Sequence, residues 1–285
     1  MGWVLNASPE VEAESQWRLI LAVVLVVTLV SIITVCSRLW IRKEARGLAA
    51  DDWMAAIAMA FAIIYSIICV VRKCLQSHDW TIPLWTAHTN FESLTETRYG
   101  LGLPIKLRPK ENLIPYTRWN FAGRPFYQLG ISFFKVALLI SYLRLFQGTS
   151  QRIYRRVVWI TIGFIFLAHL GCTFALVFAC KPVDKSWNPL KTGTCLPPGP
   201  SFTLYAAVTI ASDLVVAILP IPLLVKLNIS RNKKIGLIGV FLLGLFTTLC
   251  SIFRYLQINR IQFGDGNTTM LVLWGVIEFN VGVCL

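Results

Sequence analysis

Seven stretches of this chain run for roughly 16–26 residues almost without charge, and no other feature limits the fold so sharply. They cover 19–40, 53–71, 126–146, 157–179, 202–227, 235–258 and 270–285. A helix rises about 1.5 Å per residue, so about 20 apolar residues cross a hydrocarbon core roughly 30 Å thick. A barrel strand needs only about 10 residues, so length selects helix over strand. The first run has a flank with Glu10, Glu12 and Glu14 and a single Arg18, unlike the basic flank of a signal peptide. Residues 1–18 then form a tail and 19–285 an all-α membrane domain, a seven-transmembrane helix bundle. With 56% hydrophobic and 14% charged residues, the composition excludes a soluble enzyme, a disordered chain and a disulfide-dense module.

Charge orients the bundle. The formal net charge is +13. Twelve basic residues sit in three short connections: Arg38, Arg42, Lys43 and Arg46; Arg144, Arg152, Arg155 and Arg156; Lys226, Arg231, Lys233 and Lys234. These are topology signals and not a nucleic-acid surface, and they put the N-terminus outside and the C-terminus in the cytoplasm. They are also where a cytoplasmic signalling partner would dock. Asn6 and Asn267 start sequons on the external side and are candidate glycosylation sites.

Two places are unusual. Segment 72–98 is polar, lacks hydrophobic periodicity and contains His78 and His88. It reads as an external lid, an unstructured insertion or a retained intron, since codons for Arg72-Lys73-Cys74 can contain a splice-donor-like GTAAGT. The seventh run stops at Cys284-Leu285 without a polar flank, so truncation is the expectation there.

Ionisable groups inside a bilayer call for a partner or a role. Lys135, Asp213 and Glu278 fall roughly 12–17 Å deep at 1.5 Å per residue, near the midplane. They form an intramembrane polar cluster, either a ligand or proton site or an ion pair of Lys135 with Asp213 or Glu278. One cation against two carboxylates implies that one carboxyl is protonated or bonded to a neutral donor such as Asn280. Arg254 falls near the outer interface and reads as a snorkelling anchor. Arg144 reads as an ordinary basic helix terminus. Asp51 and Asp52 suit a helix N-terminus. Pro220 and Pro222 predict a kink in the fifth helix, and Gly236, Gly239 and Gly244 predict close packing of the sixth. His169 reads as a core hydrogen-bonder.

Cys180 and Cys195 flank the external loop between helices four and five. They form a candidate disulfide there, the alternatives being two free thiols or pairing with Cys74. Cys36, Cys69, Cys172, Cys250 and Cys284 read as buried thiols. No set of catalytic or metal-ligating residues stands out and no cofactor is implied, so the chain is not expected to be an enzyme.

Taken in order, these residues resemble the fungal rhodopsin-domain family of seven-helix integral membrane proteins. The resemblance rests on Arg38, Asp51-Asp52-Trp53, Tyr99-Gly100-Leu101-Gly102, Lys135, Ser141-Tyr142-Leu143-Arg144 and the Cys180, Pro182, Trp187 and Cys195 set. It continues through Asp213, Leu219-Pro220-Ile221-Pro222, Lys233-Lys234-Ile235, Arg254, Trp274, Glu278 and Asn280. Residues 72–98 depart from it as an insertion, and the family continues past Leu285 into a cytoplasmic tail. The family name invites retinal, which needs a lysine on the seventh helix, and 270–285 contains none. The expectation is therefore a receptor-like or sensor protein without a retinal Schiff base, the alternatives being a transporter or a non-catalytic membrane scaffold.

Overall fold

The computed structural model describes residues 17–74, 113–145, 152–188, 191–221, 231–263 and 269–284. Seven helices account for most of them: α1 Trp17–Arg46, α2 Ala50–Cys74, α3 Leu113–Leu145, α4 Arg152–Val177, α5 Pro198–Ile218, α6 Arg231–Phe263 and α7 Thr269–Cys284. Between α4 and α5 lie β1 (Cys180–Lys181) and β2 (Thr194–Cys195), an antiparallel pair with a 3₁₀ turn at Val183–Ser186 between them. Consecutive helices pack side by side, and α7 closes the ring against α1. Six helices are long and apolar enough to cross a bilayer. The 16 residues of α7 rise only about 24 Å, yet α7 is the inner partner of α1, α2, α3 and α6.

The bundle is inverted relative to a soluble protein. Gln128, Lys135, His169, Asp213, Ser251, Arg254 and Glu278 are buried, while Leu25, Leu29, Phe164, Leu167, Leu242 and Phe253 are exposed. Water would penalise both choices, and lipid favours both. Burial also ranks the helices, because 72% of the apolar window of α3 is buried against 22% for α4. Accordingly α3 joins both hydrophobic cores. Ile131 and Phe134 pack with α1, α2 and α7, whereas Leu139 and Tyr142 pack with Val158 and Ile162 of α4 and Val216 of α5.

Two glycines let α3 and α7 approach closely. The Phe279 ring of α7 occupies the space where Gly130 of α3 would carry a Cβ. Reciprocally, Phe134 of α3 lies 2.6 Å from the position of a Cβ on Gly282 of α7. The expected close packing along α6 is only partly present. Gly244 faces Ala217 of α5 at 4.0 Å, but nothing lies within 4 Å of a Cβ on Gly239, and the surroundings of Gly236 lie outside the described residues.

Helix ends differ from the apolar runs. The third helix starts at Leu113 and carries Pro125 inside it. The fifth keeps regular helix to Ile218, with Leu219–Pro220 in a turn. The expected kink at Pro220 and Pro222 is therefore not inside the described helix, and Pro222 lies outside the described residues. A proline has no N–H to continue the ladder, so a helix stops at such a pair as readily as it bends. Most of segment 72–98, with His78 and His88, also lies outside the described residues, as do Asn6 and Asn267.

Candidate functional site

The helices bring Lys135 and Asp213 together. Lys135 Nζ on α3 lies 2.8 Å from Asp213 Oδ1 on α5. It also donates to Ser212 Oγ at 2.7 Å and to the Thr209 carbonyl at 3.2 Å. All of these groups are buried. A lysine in a low-dielectric interior needs a counter-ion and hydrogen bonds to its remaining protons, and this one has both. Ser212 extends the chain to α4, because His169 Nε2 lies 3.1 Å from its hydroxyl. The other ring nitrogen lies 2.8 Å from Gln128 Nε2 on α3. With that amide donating to Nδ1, Nε2 carries the proton and donates to Ser212.

The chain continues on the other side of Asp213. Ser251 Oγ on α6 lies 2.8 Å from Asp213 Oδ2 and 2.8 Å from Glu278 Oε1 on α7. Two full hydrogen bonds here need two protons, and a serine supplies one. The serine's single proton therefore faces two acceptors, and a proton held on either carboxyl would complete the second bond. Glu278 Oε2 accepts from Arg254 Nε at 3.0 Å, and Arg254 Nη1 donates to the Tyr205 hydroxyl at 2.8 Å. One hydrogen-bonded chain thus runs from Gln128 to Tyr205 through α3, α4, α5, α6 and α7.

This corrects the reading of Arg254 as an interfacial anchor. It is 6% exposed and pairs with Glu278. Its guanidinium lies 4.8 Å from the Tyr127 ring centre and 5.0 Å from that of Tyr205, so aromatic faces cover the cation. Gly275 of α7 makes the room, with Arg254 Cδ 3.7 Å from where a Cβ would be. The arginine is therefore the second cation of the cluster, which holds two cations against two carboxylates. Asn280 is not the neutral partner of Glu278. Its side-chain amide donates to the Val276 carbonyl at 3.0 Å.

Arg254, Tyr205 and Tyr127 also form the floor of a chamber of about 210 Å³. Its walls include Asn120, Arg124, Phe202, Ile258 and Val272. A second chamber of about 570 Å³ lies between α4 and α5 under the β1–β2 loop, and shares Arg124, Leu176, Phe202 and Tyr205 with the first. Cys180 and Cys195 line the second chamber, bonded to each other, with Cα atoms 4.0 Å apart. Thr117 at the start of α3 donates to the Trp187 carbonyl at 2.6 Å, and Phe121 packs on Trp187 at 5.1 Å. The loop is thereby held over this end of the bundle.

The opposite end is built on Asp51 and Asp52, which are 0% and 1% exposed. Arg42 of α1 binds both carboxylates. Arg38 approaches Asp51 at 3.5 Å and Arg144 of α3 approaches it at 3.3 Å. Ser141 donates to Asp51 at 3.0 Å. Asp52 caps its own helix, accepting from the Ala49 N–H at 3.1 Å. Arg38, Arg42 and Arg144, counted above among the loop charges, are thus spent on an internal clamp. Arg152, Arg155 and Arg156 remain exposed.

Other residues stand elsewhere than expected. Among the five free thiols described, Cys69 and Cys250 are buried, Cys172 and Cys284 are only half-buried, and Cys36 is exposed on α1. A Schiff base at the buried Lys135 does not fit, because its amine is ion-paired on α3 and lines neither chamber. Sequence reasoning missed Gln128, Tyr205, Ser212 and Ser251. Short polar residues inside apolar runs were the available signal, but many such residues only bond to their own helix, as Thr161 does.

Comparison with known proteins agrees with this architecture. The fungal rhodopsin domain matches residues 35–285. A SAT4 family membrane protein of Emericella nidulans is 25% identical over 65% of this chain and 48% of its own length. The Satratoxin biosynthesis SC1 cluster protein 4 of Stachybotrys chartarum is 29% identical over 55% of this chain and 57% of its own. Receptor GIN3 of Arthrobotrys oligospora is 22% identical over 90% of this chain and 57% of its own. The chain spans about half the length of these curated relatives. No solved structure gives a significant match. The inverted seven-helix bundle and the match over 35–285 make the chain a membrane protein of the fungal rhodopsin-domain family.

Proposed function

We propose that this protein is a receptor-like membrane protein that takes a small ligand in the chamber floored by Arg254 and passes its occupancy to the polar chain. One observation carries the reading: Arg254 and Tyr205 are at once the chamber floor and the end of a hydrogen-bonded chain that reaches five helices. A ligand that moves Arg254 must disturb its pairing with Glu278, and through Ser251 the pairing of Asp213 with Lys135. Packed helices respond to such a disturbance by switching between discrete arrangements. The name of one relative, a receptor, supports the same class. In this reading there is no retinal and no catalytic turnover. The disulfide-bonded end faces the oxidising outside and the arginine-rich end faces the cytoplasm. The exposed Arg152, Arg155 and Arg156 at the start of α4 are the docking charges for a cytoplasmic partner.

A second reading is favoured by Ser251. A serine between two carboxyls is a place where a proton can be held, which suits a proton-coupled transporter. Without that held proton the four charges cancel, and with it the cluster is one charge positive.

The readings separate on Arg254→Gln in lipid nanodiscs. A receptor-like chain predicts altered amide hydrogen exchange at the far end of α3 around Arg144, without any ligand. Change confined to the turns beside residue 254 would reduce the protein to a scaffold. Proton flux into proteoliposomes that Arg254→Gln abolishes would replace the receptor reading by the transporter.

A further inference from the structure

The bridge at Ser251 leaves a proton to be placed, and its place does not depend on whether the chamber takes a ligand. Ser251 Oγ lies 2.8 Å from Asp213 Oδ2 and 2.8 Å from Glu278 Oε1. With both carboxyls ionised, one of these contacts is a hydrogen bond and the other sets a hydroxyl lone pair against a carboxylate oxygen. A low-dielectric interior makes that second contact costly. One added proton turns it into a hydrogen bond without displacing any heavy atom. Protonation also removes a charge that burial disfavours.

The two carboxyls differ in what they would lose. Asp213 faces Lys135 Nζ at 2.8 Å. That ammonium is a compact charge whose other contacts, the Ser212 hydroxyl and the Thr209 carbonyl, are neutral. A neutral Asp213 would strand it. Glu278 faces Arg254 instead, and through Nε alone, at 3.0 Å. The guanidinium charge is delocalised and has other cover. Its Nη1 donates to the Tyr205 hydroxyl at 2.8 Å, and the Tyr127 and Tyr205 ring centres lie 4.8 and 5.0 Å away. Its Nε still has an acceptor when Glu278 Oε2 is the carbonyl oxygen of a neutral acid.

Among the described residues, the titratable and charged groups around Glu278 are Arg254 and Cys250 of α6, Asp213 and Tyr205 of α5, and Lys135 and Tyr127 of α3, all of them buried. Asp213 is the one other carboxyl in this set, and Lys135 holds it ionised. We infer that Glu278 is the proton-binding residue of the chain: at neutral pH its Oε1 carries a proton and donates it to Ser251 Oγ, which donates its own to Asp213 Oδ2. The bridge then has one direction, from α7 through α6 to α5. The Arg254 charge is left to the two tyrosines at the chamber floor. Release of the proton to alkaline solvent makes Glu278 a carboxylate and restores its ion pair with Arg254.

The test is infrared spectroscopy of the full chain in phosphatidylcholine nanodiscs. At neutral pH the unaltered protein should show the carbonyl stretch of a protonated carboxyl, shifted down in heavy water and lost as the pH is raised. Glutamate carrying a heavy carbon isotope at its side-chain carboxyl should move this band, and aspartate labelled in the same way should leave it in place. Glu278→Gln, which copies the neutral acid, should abolish the band and keep the melting midpoint. Asp213→Asn should keep the band and lower the midpoint, because Lys135 loses its counter-ion. Should a variant fail to fold, the labelled unaltered protein decides alone. A band that follows the aspartate label, or that survives Glu278→Gln, would overturn the inference by putting the proton on another carboxyl. Absence of any such band at neutral pH would mean two ionised carboxyls and would overturn it as well. None of these results touches the ligand-site reading, which the exchange experiment on Arg254→Gln decides.

Discussion

Lys135 shows what a single residue has to satisfy in this bundle. Its charge is balanced by Asp213 and its remaining protons by Ser212 and the Thr209 carbonyl, so no donor is wasted. Taking away one partner strands the other in a low-dielectric interior. Asp213→Ala should therefore cost about 3–5 kcal/mol. It should lower the unfolding midpoint in detergent and keep the protein in the endoplasmic reticulum. The double variant Lys135→Met/Asp213→Leu should recover more than half of that loss, because a neutral apolar pair carries no desolvation penalty. Normal stability of Asp213→Ala would show that Lys135 finds another counter-ion. Ser251 is simpler to test: Ser251→Ala removes the bridge between two carboxyls and should cost about 1–3 kcal/mol, read from the same melting curves. Of these residues, Lys135, Asp213 and Glu278 were visible in the sequence because a charge stands out in an apolar run. Arg254 was visible too but misplaced. Its position near a run's end suggested water, whereas α6 continues to Phe263 and leaves it inside.

At the scale of elements, the α3–α7 contact depends on Phe279 seated on Gly130 and Phe134 seated on Gly282. A methyl group at Gly130 has nowhere to go, because the ring fills its place. Gly130→Ala should destabilise by about 1–3 kcal/mol through overpacking. Gly239→Ala, which points into open space, should be neutral or stabilise by up to about 1 kcal/mol through helix propensity. Thermal unfolding of the two variants side by side checks this, and the reverse order would refute the packing argument. The β1–β2 loop is the other element with a defined closure. Cys180 and Cys195 are 15 residues apart, so removing their bond should cost about 3 kcal/mol in the chain-entropy account. Cys180→Ser/Cys195→Ser should also loosen the larger chamber, which both cysteines line. Protease sensitivity of residues 183–195 gives the readout. The apolar runs located every helix because crossing a bilayer imposes a length. They could not locate the helix ends, because polar turns such as 113–125 extend a helix without adding apolar signal.

Across the whole molecule, the two ends are held by different means. The chamber end is closed by a disulfide and aromatic contacts, and the other end by three arginines on two carboxylates. Asp51 joins α1, α2 and α3 at one point. Asp51→Asn removes the charge that three guanidinium groups face, so amide exchange should quicken in the turns around residues 38–54 and 141–144. The chamber end should keep its exchange rates. A uniform change along all helices would instead mean that the clamp sets global stability.

The sequence by itself determined the helix count, the burial of Lys135, Asp213 and Glu278, and the pair of cysteines at one loop. Each of these is local: a run length, a charge inside a run, a residue type at its edge. The tertiary structure decided which charge meets which. Lys135 meets Ser212 across 77 residues and His169 meets Ser212 across 43. Such pairings depend on how each helix is rotated about its own axis. In lipid the outer face is as apolar as much of the inner one, so periodicity carries little of that rotation. Only packing, such as a ring on a glycine or an arginine between two tyrosines, sets it.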